Sequence, residues 1–509
     1  MRIPGNIVLA VTVIAGFSTA SQGINDTEPR AMALGGAYTA MARGPEAVAW
    51  NPANLGLRNS PRFKWQLLGA GLTFATENNA FSVQTYNDNF TTGDFLDDAD
   101  KADLLADVPG SGLKFNVDLE PMLALGIPLN GGVAFPLPWG LRGAVTTGLA
   151  FGLEGEAPKD MFELMLFGNE FERQYDIAGW DGSAWGLGSL NFAAARPWMP
   201  KLLAPYLDEF SVGATIEFLG GSYAEVQRSD GGFLARREGT DMAAYAITRV
   251  GGGTGFGLDF GVAGVTKDRK TTISMGMLNL LDTISWSGVG KTAIVWRLTE
   301  RVAPGLALRM GQAALLLLGG SGSPLPEWVR QDLPEWVTDI DTRQDSFFVV
   351  ARDLRLTRAL DEDVAGIEDV LENEDVDDDG DKDFHLKLND DSFSRSVPAM
   401  LRIGGSHELQ PKLTLMANYD QAFSEGFGIT TTPRLSGGVE YRLVEWFPVR
   451  CGLSLGGRSR GSSAGFSLGP FSVFHMQSSL DLAAMTRGGF FPGVARGLAI
   501  SASWRLSLI

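Results

Sequence analysis

Cysteine is nearly absent from this 509-residue chain. Cys451 stands alone, which excludes an intramolecular disulfide framework and any multi-cysteine metal site. Histidine is almost as scarce, and His385, His407 and His475 are too widely spaced for a histidine-built metal centre. Basic charge is in deficit, with 42 Lys and Arg against 60 Asp and Glu. A pI near 4.7 lacks the basic face of a general nucleic-acid binder, so no nucleic-acid partner is expected. Long apolar runs are missing as well. Past the first twenty residues no window approaches the roughly 18 apolar residues of a spanning helix. The densest, 313–318, is too short.

What is present is unevenly distributed. Residues 361–391 hold 15 acidic side chains and two Lys, a net of −13 out of the total −18. The body of the chain is therefore close to neutral. The N-terminus begins Met1-Arg2, runs apolar from Ile7 to Phe17, and places Ser18 and Ala20 at the −3 and −1 spacing of a cleavage site. Residues 1–20 thus read as a signal peptide, and an exported chain is expected.

The exported part alternates. Leu498, Ile500, Ala502, Trp504, Leu506 and Leu508 share one face, and Ala499, Ser501, Ser503, Arg505 and Ser507 the other. Eleven residues of period two suffice to cross a bilayer at barrel tilt. Phe210, Val212, Ala214, Ile216 and Phe218 alternate with Ser211, Gly213, Thr215, Glu217 and Leu219, and Phe256, Leu258, Phe260 and Val262 with Gly257, Asp259, Gly261 and Ala263. A sandwich would place apolar side chains on its buried face, whereas here the second face is Gly, Ser and charge, as a lumen requires. Trp65, Trp286, Trp446 and Trp504 suit aromatic girdles at the membrane interfaces. Further strands are expected near 63–75, 80–87, 117–126, 141–151, 183–195, 271–281, 398–407, 411–419, 434–443, 449–457 and 471–484, fourteen in all. The fold class is all-β, a transmembrane antiparallel β-barrel over 61–509, with a long, partly helical loop insertion at 287–397.

Ahead of the first strand lies a compact stretch rich in Gly and Ala, with Asn51-Pro52 favouring a tight turn. It is small enough to lie inside a barrel without filling it. The run RAMALGGAYTAMARGPEAVAWNPANLG, residues 30–56, resembles the N-terminal signature of FadL-type outer-membrane transporters and their PorV-type relatives. The segments at 104–127 and 158–171, and the strand cadence from Val397 onward, are similar to an uncharacterised FadL-like branch. The last residue, Ile509, departs from the Phe that commonly ends such barrels. The resemblance implies a location in the bacterial outer membrane and a plug, or hatch, formed by residues 21–60. It also implies that Gly35, Gly36, Asn51, Pro52 and Asn54 carry the plug and ligand roles.

Candidates for chemistry are few. Gly452-Leu-Ser-Leu-Gly456 matches the G-x-S-x-G pattern but sits in an alternating strand, not in the strand–turn–helix that exposes a nucleophilic Ser. Gly290-Lys291-Thr292 resembles the end of a phosphate loop, but Ser285 stands where that loop needs Gly. The acidic segment places Asp375, Asp377, Asp379, Asp381 and Asp383 at alternate positions around Gly380. That spacing suits a structural Ca2+ loop, although position twelve is Leu386 and supplies no bidentate Glu; the other reading is a solvated loop extended by self-repulsion. Leu325-Pro-Glu-Trp-Val329 recurs at 333–337 as a helix start, in a lid or in an ordinary loop helix. The expectation is a non-enzyme: a channel for hydrophobic, fatty-acid-like small molecules, surrounded by outer-membrane lipid and gated by its plug. The alternative is a non-transporting barrel that serves an envelope or secretion-system protein as partner, with the insertion as its contact surface.

Overall fold

Period-two alternation becomes a closed wall. The computed structural model describes residues 28–91, 96–177, 180–236, 239–281, 283–298, 348–354 and 396–509. Fourteen strands form the wall: β1 Lys64–Asn78, β2 Leu113–Leu125, β3 Arg142–Ala157, β4 Asp181–Pro197, β5 Leu207–Arg236, β6 Gly239–Thr266 and β7 Thr271–Leu278, then β8 Met400–Gln410, β9 Leu413–Ala422, β10 Arg434–Val444, β11 Phe447–Gly456, β12 Gly461–Val473, β13 Met476–Arg487 and β14 Gly497–Leu508. Each pairs antiparallel with its neighbours. β14 returns to β1 in a ladder that runs from Trp65↔Leu508 to Glu77↔Gly497. Closure leaves no edge strand, which is how strands span a membrane. No helix among the described residues is long and apolar enough to do so.

The two faces divide as the residue types require. On β5, Ile216 is 51% exposed and points outward, while Thr215 is fully buried. Leu72, Phe256, Ile273, Leu453 and Ile500 belong to the same outward apolar belt, and Asp259, Ser501, Ser503 and Arg505 to the interior. With an even strand number, Lys64 and Leu508 fall at the same end. That end carries turns as short as 411–412, 445–446 and 474–475, and the opposite end carries 79–112, 158–180 and the stretch that follows β7. β5 and β6 run to 30 and 28 residues, far beyond the ten or so that cross a bilayer at barrel tilt. Past the wall they are continued by the strands Thr283–Leu298, paired with β6, and Phe348–Leu354.

The total of fourteen holds through two compensating errors. The strand expected at 80–87 is not one: Val83–Tyr86 is a helical turn whose start is capped by Ser82, which accepts from the Thr85 amide. Conversely, β12 hid in a Gly/Ser-rich run that reads as a turn, and the expected 471–484 spans the end of β12 and most of β13. Its composition has a cause in packing. Ser463 donates to the Ala33 carbonyl, and a Cβ on Gly465 would lie 2.7 Å from that of Ala33. Trp286 is also no girdle residue, since it stacks on Phe427 in an aromatic cluster.

A barrel of fourteen strands is too wide for its own side chains to fill. Residues 29–57 supply the missing core. Met32, Leu34, Tyr38, Val48, Trp50, Leu55 and Leu57 are buried there. Each large side chain so buried contributes about 1.5–3 kcal/mol. The segment sweeps round the inner wall. Arg30 meets Asp481 on β13, Leu34 lies against Gly452 on β11 and Gly438 on β10, Thr39 against Gly404 on β8, and Ala53 against Gly213 on β5.

Candidate functional site in the barrel lumen

Among the described residues the wall has one interruption. β2 pairs with β3 only as far as Leu119↔Phe151, although it stays on β1 until Leu68↔Leu125. It then doubles back: Ile127–Leu129 pairs antiparallel with residues 123–125, and the strand Gly131–Pro136 takes over beside β3 from Gly131↔Thr147. Gly148, Leu149 and Ala150 of β3 therefore have no ladder partner on that side. One side chain spans the seam. Asn130, at φ 56°, donates from Nδ2 to the carbonyls of Pro121 and Leu149, 2.6 Å each, and its Oδ1 accepts from the Leu149 amide. Asn tolerates that left-handed backbone better than most residues do. Leu72, Leu123 and Leu125, all outward and exposed, place the seam within the apolar belt.

Behind the seam lies a cavity of about 80 Å³ between the wall and the N-terminal segment. Trp50, Met122, Asn130, Thr146, Ser503 and Arg505 contribute to its lining. A buried ion network borders it. Arg505 Nη1 is 2.8 Å from both Glu28 and Glu46, and Arg30 binds Asp481 through Nε at 3.0 Å and Nη2 at 3.2 Å. Tyr38 donates to Glu46 at 2.8 Å, and Lys64 lies 3.9 Å from it. Burial pushes the Glu46 carboxyl upward, but Arg30, Lys64 and Arg505 prevail and hold it down at about 2. Glu28 moves the opposite way, raised by burial and by the Glu46 charge. The sign of the pH response follows from Glu46. Its contribution to docking the segment is complete above the ordinary carboxyl value of 4.5 and is lost as pH falls through about 2. Amide hydrogen exchange, corrected for its intrinsic pH dependence, should find the segment protected at pH 5 and that protection lost toward pH 2, with the barrel strands protected throughout.

Beyond the segment, toward the long-loop end, a second cavity of about 120 Å³ is lined by Arg402, Arg434, Arg458 and Arg487 together with Asp118 and Asp420. Arg458 and Arg487 share Asp118, at 3.1 and 2.7 Å. Arg434 donates to the Gly35 carbonyl at 2.9 Å. Arg402 lies 3.4 Å from Asp420, and its guanidinium carbon sits 4.5 Å from the centre of the Trp50 ring. Above this cavity the loop after β9 turns inward. Gly426 and Ile429 exchange backbone hydrogen bonds, and Phe427 at the tip is buried against Trp185, Tyr223 and Trp286.

Of the residues singled out from sequence, Asn51, Pro52 and Asn54 fall together beside β6 and β7, whereas Gly35 and Gly36 lie apart beside β11, and both groups anchor the segment. Asn51 Nδ2 donates to Val262 O at 2.9 Å, Ser274 Oγ at 2.7 Å and Met275 O at 3.0 Å, while its Oδ1 accepts from the Ala53 amide. Asn54 donates to Thr39 O at 2.7 Å and accepts from the same Ser274 hydroxyl. Pro52 starts the helical turn Pro52–Gly56. Gly35 and Gly36 have φ of 65° and 94°. A Cβ at Gly35 would stand 2.7 Å from the backbone of Leu453. Ser454 of the G-x-S-x-G match lies within β11, and Lys291 lies within the strand Thr283–Leu298, so neither has the turn its motif needs. Asp375, Asp377, Asp379, Asp381 and Asp383 lie outside the described residues, as does most of 287–397. Sequence reasoning missed Asn130, Arg505, Arg30 and Phe427. Of these, only Asn130-Gly131, a turn-forming pair between the strands expected at 117–126 and 141–151, left a local signal.

No known protein family matches the chain, and no curated protein is similar to it. Among solved structures, a FadL homologue of Pseudomonas aeruginosa is 13% identical, covering 97% of this chain and 98% of that one, at a TM-score of 0.42. The CymD monoaromatic hydrocarbon channel is 13% identical, with 95% and 97% covered, at 0.44. The P. putida toluene transporter TodX is 11% identical, with 96% and 99% covered, at 0.42. These are structures the chain resembles.

Proposed function

We propose that the chain is an outer-membrane channel for hydrophobic, fatty-acid-like small molecules, with residues 28–57 as its plug and the β2–β3 seam as a lateral exit. The observation that carries this is the seam. In hydrocarbon each unsatisfied backbone group costs several kcal/mol, so an interrupted ladder in the lipid-facing wall is expensive to keep. Here one Asn side chain spans it, and a cavity lies directly behind. An apolar solute that leaves through the seam passes into the bilayer without crossing water. Gly35, Gly36, Asn51, Pro52 and Asn54 hold the plug to the wall, and a bound solute shifts the balance between its docked and displaced forms.

The test is uptake of a labelled fatty acid or alkane by cells with and without the chain. A second arm places Cys at Pro121 and Leu149 in a Cys451→Ser background and joins them with a short, cleavable bis-thiol reagent. Joining should lower uptake at least tenfold, and cleavage should restore it. Uptake equal with and without the chain, alongside stable recovery of another envelope protein, would replace transport with the partner reading. That reading draws on the long projection of β5 and β6.

A further inference from the structure

Phe427 occupies a position that its own backbone resists. It lies at φ 50°, in the left-handed region that bulky residues avoid, between Gly426 at 149° and Gly428 at 76°. Nothing in the turn requires a Phe there, and Gly or Asn would adopt the conformation without strain. What holds the ring is a box of three others. Trp185 on β4 meets it edge-on with centroids 5.7 Å apart, Tyr223 on β5 does the same at 5.7 Å, and Trp286 lies nearly parallel at 6.3 Å and 19°. Leu187, Leu219, Leu278 and Ile284 close the apolar surround. The box is built by strands, whereas its occupant comes from a loop with glycine on both sides. Within the box the Trp185 indole Nε1 is buried and has no hydrogen-bond partner among the described residues.

We propose that Trp185, Tyr223 and Trp286 form a ligand site for one planar ring, which Phe427 fills in this state. A ring-bearing apolar molecule then competes with the protein's own phenyl group, and its entry swings the 426–429 turn away from the mouth of the arginine-lined cavity beneath. Parallel and edge-to-face ring packing is what selects a planar ring over an alkyl chain of equal size. A hydroxyl on such a ligand gives the Trp185 N–H an acceptor. The inference rests on the lumen being a path for apolar molecules, but its test requires no transport.

The experiment uses the full chain in detergent with two seven-carbon alcohols, benzyl alcohol and heptan-1-ol, and measures binding by saturation-transfer NMR. Phe427→Ala should tighten benzyl alcohol at least tenfold and heptan-1-ol by less than about threefold. Adding Trp286→Ala should abolish the gain. An equal gain for both alcohols, or none, overturns the site. The outcome stays readable if Phe427→Ala fails to fold: 4-fluorophenylalanine at position 427 of the otherwise unchanged chain should shift its fluorine resonance with benzyl alcohol and not with heptan-1-ol. A resonance indifferent to both again overturns it. Ring selectivity without uptake would sink transport alone, and uptake without ring selectivity would sink this site alone.

Discussion

A folded barrel carrying Arg505→Met is expected to surrender its N-terminal segment to trypsin at Arg30 and Arg43, under conditions in which the wild-type chain keeps both. Arg505 is the shared partner of Glu28 and Glu46, 2.8 Å from each. All three side chains are at most 15% exposed. Removing it leaves two carboxylates close together with Arg30 and Lys64 as the remaining cations. Breaking a buried pair on one side costs about 3–5 kcal/mol, mostly for the charge left behind. At about 1.4 kcal/mol per decade, the released form should gain roughly a hundred- to a few thousandfold. The wall loses little, because β14 keeps its ladders to β1 and β13. Heat-modifiable gel mobility should therefore stay that of a folded barrel while the tryptic pattern changes. Arg505→Lys keeps the charge on a shorter stem without the planar guanidinium, and should fall between the two. A segment that remained protected in Arg505→Met would mean that apolar burial alone holds it.

Gly452→Val disturbs the seating of the segment at a different contact and should act as strongly. A Cβ on Gly452 would lie 2.1 Å from the carbonyl carbon of Leu34 and 2.3 Å from the Gly35 amide. Both are backbone atoms that cannot rotate away. Within a strand, Val is the better residue, so the wall itself should gain slightly. The clash falls wholly on the N-terminal segment, whose first turn must leave β11. Planar-bilayer recordings should then show ion conductance at least tenfold above that of the wild type. Gly437→Val serves as the control, since its Cβ meets only the Met416 carbonyl, at 4.0 Å. Conductance unchanged in Gly452→Val would show that this turn does not close the lumen.

The wall was legible because its physics is local. A strand that faces lipid on one side and a crowded lumen on the other must alternate, as Leu498 to Leu508 do. The N-terminal segment was legible by its small residues. The ion network was not, because Arg30 and Asp481 are 451 positions apart and Arg505 and Glu28 are 477 apart. Neither charge bears any local mark of its partner. The same holds for the ring box, which gathers Trp185, Tyr223, Trp286 and Phe427 from four places in the chain. β12 was missed for an instructive reason. Its inner face has been stripped to Ser463 and Gly465 by the segment it touches, so a strand came to look like a turn.

That stripping bears on how such a chain can change over generations. Gly213, Gly261, Gly404, Gly452 and Gly465 are each placed so that a single added methyl would collide with the segment, in three of them with its backbone. Lock and key here are encoded hundreds of codons apart in one reading frame. A segment transplanted from a distant relative should fail to seat unless the pattern of glycines in the wall travels with it. Divergence in either part must therefore be answered in the other.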